Sequence, residues 1–126
     1  MAQIKFYRCK HCGNLFATVN DGGVNPVCCG EPMELLEPGA VEAATEKHVP
    51  VLTSADDKIV AHVGSVSHPM TPEHYIEWIA MVTDSRICVK RLTPADAPEA
   101  TFCGKGVTAA TVYAYCNLHG LWKTEL

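Results

Sequence analysis

The chain has 126 residues, 48% of them hydrophobic and 19% charged, with a formal charge of −4 when the histidines are neutral. That balance excludes a disordered chain, and the acidic excess without a dense Lys/Arg run argues against nucleic acid as a partner. Seven cysteines are an odd number, which suits metal ligation better than a disulfide framework.

The opening MAQIKFYRCKHC has no continuous apolar stretch with a small-residue cleavage site, so no secretory leader is expected. No run approaches the roughly 18 apolar residues that cross a bilayer. A soluble, cytoplasmic protein without a membrane partner is the expectation.

Residues 1–36 are rich in Cys and Gly: CKHCG at 9–13, NDGG at 20–23 and CCGEPM at 28–33. Few of them can form a core. Cys9, Cys12, Cys28 and Cys29 make the pattern C-x2-C-x15-C-C. Two thiolates from one tight turn converge readily on a single ion, and four thiolates suit tetrahedral zinc or iron. Metal binding would supply the free energy that such a small module lacks. A disulfide pairing and reactive catalytic thiols explain the pattern less well. The adjacent pair Cys28–Cys29 must splay neighbouring side chains toward one metal, which predicts a distorted tetrahedron. His11, between two ligands, reads as a solvated loop residue.

Residues 37–44 read as a linker and 45–126 as a second domain. There, short Val/Ile/Tyr/Trp segments alternate with Pro, Gly, Asp and Ser. Strands are predicted at 48–52, 58–63, 74–82, 86–92, 99–103, 111–116 and 121–124. Ile59, Ala61 and Val63 share one face, and Ile87, Val89 and Arg91 share another. The segment 74–82 is ambiguous, because Ile76, Ile79, Ala80 and Met81 could also line a helix; its aromatics and bounding turns favour strand. Seven short strands in this length predict a mainly β fold, a β-sandwich.

Histidines collect in compact contexts in this domain: KHVP at 47–50, SHPMTPEH at 67–74 and YCNLHG at 115–120. Pro69 and Pro72 stiffen the loop between His68 and His74. Cys116 and His119 form C-x2-H at a strand end, a spacing that brings thiolate and imidazole to one ion. Imidazoles with one thiolate suit iron, copper or zinc. A copper electron-transfer site would take two His, one Cys and a weak Met, for which Met70 is available, but His48, His68, His74 and His119 overfill it. Structural zinc would be closed with four ligands. Four imidazoles and one thiolate round a six-coordinate metal would leave one position open. His62, in the alternating KIVAHV, reads as an exposed strand residue, and Cys88 and Cys103 as buried free thiols within apolar strands, a bond between the two being the alternative.

Taken together, CKHCGN, CCGEPM, EKHVPV, VGSVSHPMTPEHYIEWI, APEATF and YCNLHGLWK closely resemble the desulfoferrodoxins, the two-iron superoxide reductases. The matched segments run from Tyr7 to Lys123. The resemblance implies a desulforedoxin/rubredoxin-like module with iron on Cys9, Cys12, Cys28 and Cys29. After it would come an immunoglobulin-like β-sandwich with a square-pyramidal iron on His48, His68, His74 and His119, Cys116 being axial. It further implies reduction of superoxide to hydrogen peroxide, Lys47 guiding the anion and Glu46 closing the resting ferric site. A homodimer and rubredoxin or a similar electron donor are implied as well. One departure is the stretch TFCGKGVTAATVYAY, which carries Cys103 and an extra glycine where a more apolar strand is expected. Two rival readings are a non-enzymatic electron carrier and a zinc-ribbon module linked to an adhesion-like sandwich; the first leaves the His/Cys constellation unexplained.

Overall fold

The computed structural model describes residues 4–126; the first three, at the start of the opening stretch MAQIKFYRCKHC, lie outside the described residues. The chain divides into two compact units, Met1–Glu37 and Pro38–Leu126.

The first unit is built from very short strands. β1 (Phe6–Arg8) lies between β2 (Leu15–Ala17) and β5 (Glu34–Leu35), while β3 (Val27–Cys28) and β4 (Glu31–Pro32) form a separate antiparallel pair. One small cluster of Tyr7, Cys9 and Met33 is buried, with Cys28 and Leu35 packed against it. Phe16, Val19, Val24 and Val27 remain exposed. Apolar burial on this scale does not order such a chain, so a bound metal is the natural source of its stability.

The second unit is an antiparallel β-sandwich. It comprises a helical turn α1 (Thr45–His48), then β6 (Pro50–Ala55), β7 (Lys58–Val63), β8 (Ile76–Val82), β9 (Ile87–Arg91), β10 (Glu99–Cys103), β11 (Thr111–Cys116) and β12 (Gly120–Glu125). One sheet has the order β10-β7-β6 and the other β12-β11-β8-β9. Asp56 and Asp57, at φ 53° and 60°, make the tight turn between β6 and β7; positive φ at both central residues matches the twist of a two-residue hairpin. The inner faces meet through Ile59, Ala61 and Val63 of β7, Ala100 and Phe102 of β10, Ile76, Ile79 and Met81 of β8, and Val112, Ala114 and Cys116 of β11.

The ambiguity at 74–82 has a structural cause. On β8, Tyr115 pairs with Trp78 but Cys116 pairs with Ile76, so Glu77 is the extra residue of a β-bulge. The bulge shifts the alternation by one. Ile76 therefore joins Ile79 and Met81 on the core face, and the three-residue step resembles a helical period. The same bulge brings the end of β11, with Cys116, beside the start of β8.

Two expectations are corrected. Residues 48–52 are not one strand: Thr45–His48 is a helical turn, closed by Val49 N–H donating to Thr45 O at 2.9 Å, and the strand begins at Pro50. Pro50 forces Val49 into extended backbone, which ends the turn there. Nor are Cys88 and Cys103 buried alike. Alternation on β10 turns Ala100 and Phe102 inward and leaves Cys103 exposed, whereas Cys88, on the edge strand β9, packs partly against the core. Both are free thiols. Ile87, Val89 and Arg91 do share a face, and it is the exposed one. The glycine after Cys103 has a packing reason, since a Cβ on Gly104 would stand 2.9 Å from Cγ1 of Ile59.

Candidate metal centres

The four cysteines of the first unit come together as their spacing requires. Their sulfurs all lie within 4.8 Å of one another, with Cys12 Sγ 3.6 Å from Cys28 Sγ. The turn after β1 is closed by Gly13 N–H donating to Cys9 O at 3.0 Å. Adjacent residues in a strand point to opposite faces, so Cys28 and Cys29 could not share a metal from extended backbone. Cys29 escapes this by adopting φ 52°, followed by Gly30 at φ 78°. A left-handed residue other than glycine costs about 1–2 kcal/mol, and here it swings the second sulfur back toward the first three.

The protons on these sulfurs are unequally held. Backbone N–H donation, chiefly from Cys12 and also from His11, pulls the Cys9 thiol down to about 6. Hydrogen bonding to Cys12, Cys9 and Cys28 pushes Cys29 up to about 12. Packed sulfurs share protons that a cation would displace. His11 stays outside, its Nε2 3.1 Å from the Glu31 carboxylate on the surface.

The second centre is assembled at one end of the sandwich. His48 ends α1, and its Nδ1 lies 2.7 Å from Ala44 O. Nδ1 of His68 lies 2.7 Å from Pro69 O. A carbonyl only accepts, so each Nδ1 carries the hydrogen and each Nε2 presents its lone pair. His74 is set by a bridge to Thr71. His119 points Nδ1 inward, 3.2 Å from Nε2 of His48 and 3.8 Å from Sγ of Cys116. Ligating atoms of His48, His68, His74 and Cys116 lie within 4.8 Å of one another.

The rings form a square. Centroid separations run 4.7 Å from His48 to His68, 4.6 Å to His74, 5.1 Å to His119 and 5.0 Å back to His48. The diagonal from His48 to His74 is 6.5 Å, longer than every side. A tetrahedral set would have equal separations. Cys116 is fully buried and belongs to the core cluster, so its thiol reaches the rings from the sandwich interior. Four nitrogens and one sulfur form a donor set that would suit an iron ion. It does not fit a four-ligand structural zinc site.

Two further observations support a bound ion. Nε2 of His68 and Nε2 of His74 are buried with no hydrogen-bond partner, and an unmet buried polar atom costs about 1–3 kcal/mol. Burial also disfavours the protonated form of His48, His68 and His74, and the neutral form is the one that ligates. It pushes His68 down to about 4, helped by the neighbouring rings, and lowers His48 and His74. Burial raises the Cys116 thiol, while backbone N–H groups of Leu118 and His119 hold it partly down. A cation would complete that deprotonation.

A pH prediction follows for the metal-free protein. His68 titrates near 6.5 when unfolded and near 4 when folded, so between these values only the unfolded chain holds the proton. Stability is therefore lost as pH falls from about 6.5 toward 4. Urea midpoints measured across that window should decline; a flat profile would mean that His68 is not buried as a neutral ring.

The remaining candidates are placed elsewhere. The sulfur of Met70 accepts from Ile76 N–H at 3.4 Å. His62 is half-buried, with Nδ1 2.9 Å from Gly64 O and Nε2 3.3 Å from Ser67 Oγ. Glu46 and Lys47 are exposed on α1 immediately before His48. Sequence reasoning missed Trp122, which stacks on His48 at 5.0 Å and donates from Nε1 to His119 O at 3.1 Å. Its only signal was its place in the motif YCNLHGLWK.

Residues 40–125 match the Desulfoferrodoxin family and residues 2–36 the Desulfoferrodoxin N-terminal domain. The chain belongs to the desulfoferrodoxin family. It is 48% identical over 123 residues to a desulfoferrodoxin of Nitratidesulfovibrio vulgaris, covering 98% of this chain and 97% of that one. It is 36% identical over 99 residues to a superoxide reductase of Pyrococcus abyssi, covering 64% of this chain and 86% of that protein. The crystal structure of the superoxide reductase from Treponema pallidum superimposes with a TM-score of 0.80 at 35% identity, over 97% of each chain. For this desulfoferrodoxin-family chain the two clusters correspond to two iron centres, four-cysteine and four-histidine-one-cysteine.

Proposed function

We propose that the protein is a superoxide reductase, converting superoxide to hydrogen peroxide with one electron from an external donor and two protons from water. The observation that carries this reading is the square of four imidazoles with a buried thiol on its interior side. We read His48, His68, His74, His119 and Cys116 as the ligands of the reactive iron, and Cys9, Cys12, Cys28 and Cys29 as those of the other. The chemistry that iron supplies there, when bound, is transfer of a single electron to superoxide.

The protein contributes charge and access. Neutral imidazoles leave a divalent ion's charge intact, and the Cys116 thiolate cancels one unit, leaving about +1. At roughly 6 Å and an effective dielectric near 20, this attracts a monoanion by about 3 kcal/mol. Lys47 extends the field outward. Beyond burial and the neighbouring His119 ring, its ammonium also opposes protonation of His48 and His74, so its charge reaches the site. Such steering matters in a chain whose net charge is −4. We assign Lys47 to capture of the anion and to assisting protonation by water, and Glu46 would supply a carboxylate ligand to the oxidised iron at rest.

By the same reading, residues 1–36 are the four-cysteine module, 37–44 connect it, and 45–126 carry the reaction. A homodimer in the cytoplasm, served by rubredoxin or a similar electron-transport protein, fits this role. No helix among the described residues is long and apolar enough to cross a membrane.

The test is a superoxide pulse delivered anaerobically to the reduced protein. One peroxide per superoxide and no dioxygen are expected; release of dioxygen would mean dismutation and defeat the reading. With Lys47→Ala, capture should slow by about tenfold and lose part of its salt dependence, with iron content unchanged. An unaltered capture rate would remove Lys47 from this role.

A further inference from the structure

The four rings are not held alike. His48 and His68 are each fixed through their second ring nitrogen, on Ala44 O and Pro69 O. His119 sits on the same loop as Cys116, with its carbonyl gripped by Trp122. The ring of His74 makes no hydrogen bond among the described residues, and its Nε2 is buried and partnerless. Apart from contact with the neighbouring rings, its direction is set through its main chain. Thr71 secures one side, exchanging backbone hydrogen bonds with His74 at 3.0 and 3.1 Å.

The other grip comes from far along the chain. Asn117 Nδ2 donates to Glu73 O at 2.9 Å, and Asn117 Oδ1 accepts from Tyr75 N–H at 2.9 Å. The orientation of this amide is unambiguous, because a carbonyl only accepts and an N–H only donates. One planar group thus spans the peptide units on both sides of His74. Asn117 N–H also donates to Tyr75 O at 3.2 Å. Asn117 itself directly follows Cys116 and precedes His119 by two residues.

We propose that Asn117 is a positioning residue, which aims His74 and locks that corner of the square to the loop carrying Cys116 and His119. The inference rests on reading the five side chains as one metal centre. Asparagine suits the task because it offers a donor and an acceptor in one short plane. Aspartate has no donor, and alanine has neither group.

The test uses the full-length chain loaded with cobalt(II), as parent, Asn117→Ala and Asn117→Asp. Both variants should keep the four-cysteine absorption. Both should shift the ligand-field bands of the histidine centre and release its cobalt to a chelator about tenfold faster, the usual scale for loss of a supporting partner. Asn117→Asp should behave like Asn117→Ala, since its carboxylate faces Glu73 O without a proton to give. A lowered melting temperature with unchanged bands and release rate would show a merely structural role and overturn the proposal. Should neither variant fold, amide exchange at Tyr75 in the unaltered zinc-loaded protein decides: protection supports the clamp, and rapid exchange overturns it. None of these readouts uses superoxide, so a parent that binds metal on these ligands yet fails to reduce superoxide would defeat the functional reading and leave the clamp standing.

Discussion

Cys116→Ala is expected to abolish superoxide reduction, by more than about 100-fold, while the four-cysteine centre keeps its iron and its colour. Loss of a partner that merely supports a ligand costs 10–100-fold, and here the ligand itself is removed. The thiol is the one anionic donor among the five side chains, fully buried at the end of β11. Without it the square of rings loses its interior anchor, and a bound divalent ion would sit in the core edge with its charge uncompensated. Cys116→Ser controls for shape, because it returns a small polar atom that stays protonated at neutral pH, and it should fail as well. The independence of the first centre follows from its separate ligand set in a separate unit. Peroxide yield and two-site iron analysis on the same preparations measure both halves. Activity near the parental level in either variant would remove Cys116 from the centre.

Gly64→Ala should also weaken the histidine centre, although Gly64 is not among its ligands. A Cβ there would stand 2.5 Å from Glu46 O and 3.0 Å from both Lys47 C and Val49 O. All three are backbone atoms that cannot rotate aside. The same Glu46 carbonyl accepts from Val66 N–H at 2.9 Å and from Ser65 Oγ at 3.3 Å, so the loop after β7 and the α1 turn are in direct register. A methyl group wedged between them moves α1, and with it Lys47 and the ring of His48. Overpacking of this kind typically costs about 1–3 kcal/mol. The expected result is a lower melting temperature, iron lost from the histidine centre about tenfold faster, and unchanged four-cysteine absorption. Parental stability together with parental iron retention would show that this close approach is not a constraint.

The two predictions differ in how far the residues alone could lead. Cys116 is conspicuous in the sequence, since a C-x2-H at a strand end together with two other histidine contexts has few structural explanations. Gly64 is not. Nothing local distinguishes it from other glycines near turns, and its importance comes from the backbone of residues 46–49 lying against it. Asn117 and Trp122 belong to the same class, visible only as neighbours of a ligand until the Glu73–Tyr75 segment and the His48 ring are placed beside them. Segment 74–82 gave a mixed period because one bulged residue, Glu77, shifts Ile76 onto the core face. Cys103 looked buried because its strand is apolar, yet strand phase, set by Ala100 and Phe102, turns it outward.

Donor identity and strand pattern were written in the chain's local order. Thiolates and imidazoles announce a metal by type and spacing, and alternation announces a half-buried strand over residues such as 58–63. What local order could not contain was the arrangement in space: a square rather than a tetrahedron, Nδ1 rather than Nε2 at His119, and the left-handed turn of Cys29 that gathers two adjacent sulfurs. Those depend on which segments distant in sequence are pressed together, because the rings come from α1, the loop before β8 and the turn after β11, which only the packed sandwich brings to one place.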